Sequence, residues 1–304
     1  MDFGKDADKT LYLVGLGLYD AKDITVRGLE IVKNVSNVYL ENYTSILGCD
    51  HQELEAFYGR SIVLVDREMM EHGCQEILDS AENGGAAVLV VGDPLNATTH
   101  TDLLLRAASR KIPYRIIHNA SILNAVACCG LQIYNFGETV SIPFWTDTWK
   151  PESYYDKIVR NRKNNLHTLC LLDIKIKEPN LDLMMKGIIK PDPPRFMDFR
   201  HAAEQLVSII RRRKLDKTVS DDVIVKSCEV TREEKGSLSV QPDLEESSIC
   251  LGLARVGSTS QRIVKTTLIK ATETDLGPPL HSLVIPGLMH PLEVEMIELF
   301  SSGA

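Results

Sequence analysis

Over the first hundred residues, short unbroken apolar runs alternate with stretches whose apolar residues recur every third or fourth position. That alternation is the signature of β-α units on a mostly parallel sheet. Runs 11–15, 38–40, 62–65 and 87–91 read as strands, each free of charge as strands buried on both faces should be. Between them, Ile24, Leu29, Ile31 and Val32 form one helical stripe, with further stripes over 69–81 and 102–109. A strand over 114–117 follows Pro113 at the expected join of two halves. The pattern then predicts a helix over 122–128, a strand over 139–142, a helix over 151–162 and a strand over 168–174. A helix over 199–214 ends in Arg211, Arg212, Arg213 and Lys214, cations that suit the negative end of a helix dipole better than they suggest a nucleic-acid patch. Strand-rich runs follow at 249–256, 263–269 and 282–285, and 291–300 reads as a closing helix.

At 304 residues the chain is long enough for two domains. The expected division is a flexible leader at 1–9, an N-terminal α/β domain at 10–112 and a C-terminal α/β domain at 113–304. An insert at 215–247 interrupts the second domain. It holds nine acidic and four basic residues, no aromatic residue and no sustained periodicity, which reads as disorder. The insert alone sums to −5 of the chain's formal charge of −8, so the acidic balance says little about the rest. An overall acidic chain nevertheless argues against binding a phosphate backbone, which needs clustered Lys and Arg to displace counterions, so no direct nucleic-acid partner is expected. No apolar run approaches the roughly 18 to 20 residues needed to cross a bilayer, and the charged leader is no signal peptide. The chain therefore reads as soluble, free of membrane contact and cytoplasmic. Seven cysteines without a C-x-x-C pair fit reduced thiols.

Chemistry is expected where strands end. Gly15-Leu16-Gly17-Leu18-Tyr19-Asp20 follows the first strand and permits close approach of a ligand to backbone N–H groups. A dinucleotide reading of that turn is weak, because Asp20 replaces the third glycine and a carboxylate would repel a pyrophosphate there. A plain strand-to-helix turn is the alternative. Val91-Gly92-Asp93-Pro94-Leu95-Asn96 ends another buried strand, and Asp93 either contacts a ligand or only makes a turn. Thr99 with Asp102 matches a helix start. His118-Asn119-Ala120-Ser121-Ile122 follows the next strand, with Ser121 a natural helix cap. Three such turns in one domain suggest one shared site. Cys128 and Cys129 read as buried small hydrophobes rather than catalytic thiols, and Trp145 and Trp149 as core anchors rather than a partner-binding loop. No histidine pair has metal-site spacing, so no metal is expected, and no nucleophile elbow or P-loop occurs.

The runs LYLVGLGLYDAKDIT, VVGDPLNATTH, RIIHNASILNAV, FGETVSIPFWTDTW, HTLCLLDIK, LGLARVGS and LGPPLHSLVIPG together resemble the eukaryotic diphthine synthases of the tetrapyrrole methylase superfamily, from Thr10 to Phe300 apart from the insert. The resemblance implies two α/β domains of the tetrapyrrole methylase type with a cofactor cleft between them, and a homodimer. It implies transfer of methyl groups from S-adenosyl-L-methionine, leaving S-adenosyl-L-homocysteine. The implied substrate is translation elongation factor 2 bearing a 3-amino-3-carboxypropyl-histidine, whose amine is trimethylated and whose carboxylate is esterified in diphthamide biosynthesis. Carried over residue by residue, the cofactor contacts fall on Leu18, Asp93, Asn96, Ser121, Ile122, Leu172, Val256 and His281. Relatives commonly have glycine where this chain has Tyr19 and Asn96. No catalytic residue is assigned. His100, His118 and Glu41 stand as possible proton acceptors, and nothing in the sequence selects among them. A precorrin-type tetrapyrrole methyltransferase and a non-catalytic module that binds the elongation factor are the alternatives.

Overall fold

A computed structural model describes residues 9–43, 46–71, 73–96, 100–176, 192–224 and 243–301. The leader up to residue 8, Thr99 and the middle of the acidic insert, 225–242, lie outside the described residues. The chain divides into two compact units. The first comprises Met1–Ala125, Ile174–Arg195 and Val256–Thr259, the second Val126–Asp173, Phe196–Arg255 and Ser260–Ala304.

The first unit is built on five parallel strands, β1 (Leu11–Gly15), β2 (Asn37–Glu41), β3 (Val63–Val65), β4 (Ala86–Val90) and β5 (Tyr114–Ile117), in the order β3-β2-β4-β1-β5. Alternation of side chains sends Leu11 and Leu13 of β1 to one face and Tyr12 and Val14 to the other, and both faces are covered. Helices α1 (Val26–Asn34) and α2 (His51–Tyr58) pack on one side. After the short α3 (Arg67–Glu71), helices α4 (Gln75–Glu82) and α5 (Thr101–Ser109) pack on the other. The connection out of β1 runs toward β2 and the one out of β4 runs toward β5, so the winding reverses between β1 and β4. In open α/β sheets a ligand crevice opens at that reversal, beyond the carboxyl ends of the strands.

The second unit follows α6 (Ile122–Ala125) and opens with one turn of 3-10 helix, Val126–Cys129. Its strands are β6 (Val140–Ile142), β7 (Thr168–Leu172), β10 (Ile249–Ala254), β11 (Arg262–Thr267) and β12 (His281–Ile285), ordered β11-β10-β12-β7-β6 and mostly antiparallel; a separate short pair, β8 (Ile174–Lys175) and β9 (Arg195–Phe196), lies between β7 and β10 in sequence. Helices α7 (Ser153–Lys163), α8 (Phe199–Ile224), α9 (Leu268–Ala271) and α10 (Pro291–Glu298) complete it. Its core gathers Ile142, Ile158, Cys170, Phe199, Leu206, Cys250 and Leu283. One buried polar knot stands at its edge. Glu293 accepts from Gln132 N–H (2.7 Å), His290 N–H (2.7 Å) and His167 Nε2–H (3.2 Å), while His167 Nδ1 accepts from Gly287 N–H (3.0 Å).

Several expectations shift. Strand 114–117 is no join between halves: it hydrogen-bonds to β1, and the first unit runs on to Ala125 instead of ending at 112. The stripe over 69–81 is two helices with Gly73 and Cys74 between them, glycine costing a helix about 1 kcal/mol. The helix expected at 122–128 tightens after Ala125 into 3-10 form. The helix expected to stop at Lys214 continues to Ile224, so the start of the insert is helical, and Leu244 near its end is buried in the second core. Helix α2 carries only two inward residues, Leu54 and Tyr58, too few to show as a stripe. The tryptophans part company: Trp145 packs on the core and donates to Pro151 O (3.2 Å), whereas Trp149 is exposed. Cys129 is buried and Cys128 half-buried.

Candidate functional site

The carboxyl ends of β4, β1 and β5 are neighbours in the first sheet, so the three glycine, acid and polar turns of the sequence do meet. The turn after β1 is tied to the turn after β4 by a pair of backbone bonds, Gly92 N–H to Gly17 O (2.8 Å) and Gly17 N–H to Gly92 O (3.3 Å). Gly92 sits at φ +77°, and a β-carbon there would lie 3.2 Å from Ser121 Cβ, so the β4 and β5 turns approach as closely as glycine allows.

The turn after β1 shows why a pyrophosphate does not suit it. Asp23 folds back so that its Oδ2 accepts from the backbone N–H groups of Tyr19 (2.7 Å), Leu18 (3.2 Å) and Asp20 (3.4 Å). The cluster of donors that would hold a phosphate already holds a carboxylate of the chain itself. Asp20 caps the short helix Ala21–Asp23 through Lys22 N–H (2.8 Å). Asp23 escaped the sequence reading, although Asp20-x-x-Asp23 has the spacing of a capping box. Tyr19 is turned toward Gly48, whose N–H donates to Tyr19 O (2.7 Å).

Asp93 is buried and fully engaged. Its Oδ1 accepts from Leu95 N–H (3.1 Å), and its Oδ2 accepts from Asn119 N–H (3.2 Å) and from His118 Nδ1 (2.7 Å). Asn119, also missed from sequence, stitches the turns together: its amide donates to Gly15 O (2.9 Å) and Asp23 O (2.9 Å), and its oxygen accepts from Ala120 N–H (2.8 Å). Asn96 donates to Ser121 Oγ (2.8 Å), a link between the two turns, additional to those of Asp93, that a glycine could not make. Ser121 Oγ also accepts weakly from Leu123 N–H (3.3 Å), close to its expected role as a cap. Ile122 follows, half-buried. Leu18 and the loop containing Val256 meet in the same unit, since a β-carbon on Gly257 (φ +91°) would lie 2.8 Å from Leu18 Cβ.

Of the remaining assigned residues, Leu172 ends β7 and His281 begins β12, both in the second unit. His281 uses both ring nitrogens: Nδ1 accepts from Phe199 N–H (3.3 Å) and Nε2 donates to Pro278 O (2.9 Å). Burial pushes its pKa below the usual histidine range, against the opposing pull of the Pro278 carbonyl, so the ring stays neutral. Of the three possible proton acceptors, His100 and Glu41 are shut away from solvent and face each other at 3.3 Å, whereas the ring of His118 is exposed. Burial raises the pKa of Cys49, Cys128, Cys170 and Cys250, and pushes Cys129 up to about 12. Among the described residues no group of three or more His, Cys, Asp or Glu could hold a metal ion, and no helix is long and apolar enough to cross a membrane.

The chain is similar to known proteins over nearly its whole length. A family model of tetrapyrrole (corrin/porphyrin) methylases matches residues 10–206. The diphthine methyl ester synthase of Homo sapiens is 52% identical over 292 residues, covering 96% of this chain and 95% of that protein. That of Saccharomyces cerevisiae is 47% identical over 293 residues, covering 96% and 89%. A crystal structure of diphthine synthase matches with a TM-score of 0.73 at 30% identity, over 96% of each chain.

Proposed function

Because this chain belongs to the tetrapyrrole methylases, and within them to the diphthine methyl ester synthases, methyltransferases of diphthamide biosynthesis, we propose that its methyl donor is S-adenosyl-L-methionine and its substrate translation elongation factor 2. The group modified is the 3-amino-3-carboxypropyl-histidine, methylated on its amine and esterified on its carboxylate. The observation that carries this reading is the convergence of Leu18, Asp93, Asn96, Ser121, Ile122 and Val256 in one unit, around strand ends at a reversal of winding. Leu172 and His281 join the proposed contacts by resemblance alone.

The chemistry of the site fits the donor. Its turns hold carboxylates, Asp20, Asp23 and Asp93, and its backbone anion cluster is already filled by Asp23, so the site favours a cationic ligand over a polyphosphate. S-adenosyl-L-methionine, when bound, supplies a methyl group on a positively charged sulfonium, so the chain need only align donor and acceptor and keep the acceptor nucleophilic. Gly92 leaves the space that a side chain would fill beside Ser121, and the Asn119 amide holds the turns of β1 and β5 rigidly enough to serve as one wall. The acceptor carboxylate attacks as it stands, while the acceptor amine must first lose a proton, since an α-amine with a pKa of about 8 is mostly protonated near pH 7.

The protein is further proposed to act as a cytoplasmic homodimer, which sedimentation analysis and cell fractionation test. The deciding experiment incubates the protein with methyl-labelled S-adenosyl-L-methionine and elongation factor carrying the first histidine modification. Mass spectrometry then counts the methyl groups and assigns them to nitrogen or oxygen. Absence of label from that histidine removes the proposal.

A further inference from the structure

Resting on the function proposed above, we infer that His118, oriented by Asp93, is the base that takes the proton from the substrate amine. The ring is held by one short bond, Nδ1 to Asp93 Oδ2 at 2.7 Å. An ionised carboxylate only accepts hydrogen bonds, so Nδ1 carries the hydrogen and Nε2 carries the lone pair. Asp93 is itself fixed by Leu95 N–H and Asn119 N–H, so it cannot swing away from the ring. The His118 side chain is 68% exposed while that of Asp93 is 7% exposed: a buried carboxylate orients an imidazole whose free nitrogen faces solvent. This is the arrangement by which a histidine is held in one tautomer for proton transfer.

The competing groups lack that combination. His100 and Glu41 have side chains 0% and 1% exposed, out of reach of a protein substrate, and both nitrogens of His281 are engaged. His118 also stands at the end of β5, bonded directly to a proposed contact of the methyl donor.

The step balances as follows. The ammonium group of the modified histidine gives one proton to His118 Nε2. The freed amine then forms a bond to the methyl carbon as the carbon–sulfur bond breaks and its electron pair stays on sulfur. The imidazolium, open to water, releases its proton before the next transfer, so each of three N-methylations releases one proton. Esterification of the carboxylate forms its O–CH3 bond with no proton to remove. The two products of one active site therefore differ in their need for His118.

That difference is the test. With labelled S-adenosyl-L-methionine and modified elongation factor, His118→Gln should lower the ratio of N-methyl to O-methyl product by about 100-fold or more, the usual contribution of a positioned base. His118→Ala should recover part of that ratio on addition of imidazole, which a purely structural loss would not do. Independent of turnover, 15N NMR of the wild-type ring should show the Nδ1–H tautomer, and Asp93→Asn should abolish that preference. Circular dichroism and cooperative thermal unfolding report that the variants are folded, and His118→Asn carries the same N-to-O readout should the glutamine variant fail to fold. An unchanged N-to-O ratio in a folded variant, or an Nε2–H ring in the wild type, overturns the assignment of His118 alone. A wild-type protein that transfers no methyl group overturns the function on which it rests.

Discussion

Asp23 offers the sharpest test of how the site is built. Changing it to alanine removes one carboxylate and leaves three backbone donors, of Leu18, Tyr19 and Asp20, turned toward the space it occupied. The distances divide the loss unevenly. At 2.7 Å the Tyr19 bond is a full charge-assisted hydrogen bond, worth about 1.5–3 kcal/mol, whereas those at 3.2 and 3.4 Å are long and partly open to water. A total of about 2–3 kcal/mol follows, well short of three full bonds. In a unit of this size that lowers the melting temperature by about 5–10 °C. Asp23→Asn, which keeps an acceptor oxygen but loses the charge, should fall between wild type and alanine. Scanning calorimetry of the three proteins, with and without sulfate, reads both the loss and its cause. The emptied donor cluster should now bind an anion, so sulfate should raise the melting temperature of the alanine variant more than that of wild type. An alanine variant melting within about 1 °C of wild type, or an equal response to sulfate, would refute the reasoning.

Further outcomes follow from the same contacts. Gly92→Ala should be destabilised by about 1–2 kcal/mol from its positive φ and should bind S-adenosyl-L-methionine more weakly, because its β-carbon presses on Ser121; calorimetry reads both. Gly257→Ala, whose β-carbon would lie 2.8 Å from Leu18 Cβ, should likewise weaken donor binding, while unchanged affinity would detach that loop from the site. Burial lowers the pKa of both His167 and His281, so below about pH 6.5 the unfolded chain takes up protons that the folded chain resists, and stability falls as the solution is acidified. Urea midpoints at pH 7.5 and 5.5 should differ in that direction, and less so in His167→Gln. Glu293→Ala leaves His167 Nε2–H and two backbone donors without their acceptor, at a cost of about 1–3 kcal/mol for each that water does not reach, which thermal unfolding should show.

The central strands β1, β2 and β4 are legible because burial on both faces demands unbroken apolar runs, and the functional turns are legible because they sit where such runs end. Pairing is not. Nothing local to residues 114–117 tells that they hydrogen-bond with residues more than a hundred positions earlier, so a boundary read at Pro113 separates β5 from the sheet it completes. The same long-range order hides the partners of Asp93: its position could be read, but His118 and Asn119 reach it only because β4 and β5 flank β1. Asp23 acts on main-chain groups, so the capping-box spacing Asp20-x-x-Asp23 is all that marks it in the sequence. Helix α8 outran its expected end because acidic, polar composition lowers the tendency to pack without forbidding a helix.

A methyltransferase works with an electrophilic carbon, and a thiolate is among the softest nucleophiles a protein carries. Only a thiolate attacks at a useful rate. Burial raises the pKa of Cys49, Cys128, Cys129, Cys170 and Cys250, which favours the protonated thiol and makes these sulfurs poorer competitors for an activated methyl group. A raised thiol pKa is thus a chemical restraint as well as a by-product of packing: it keeps these sulfurs in the form least able to take up an activated methyl group.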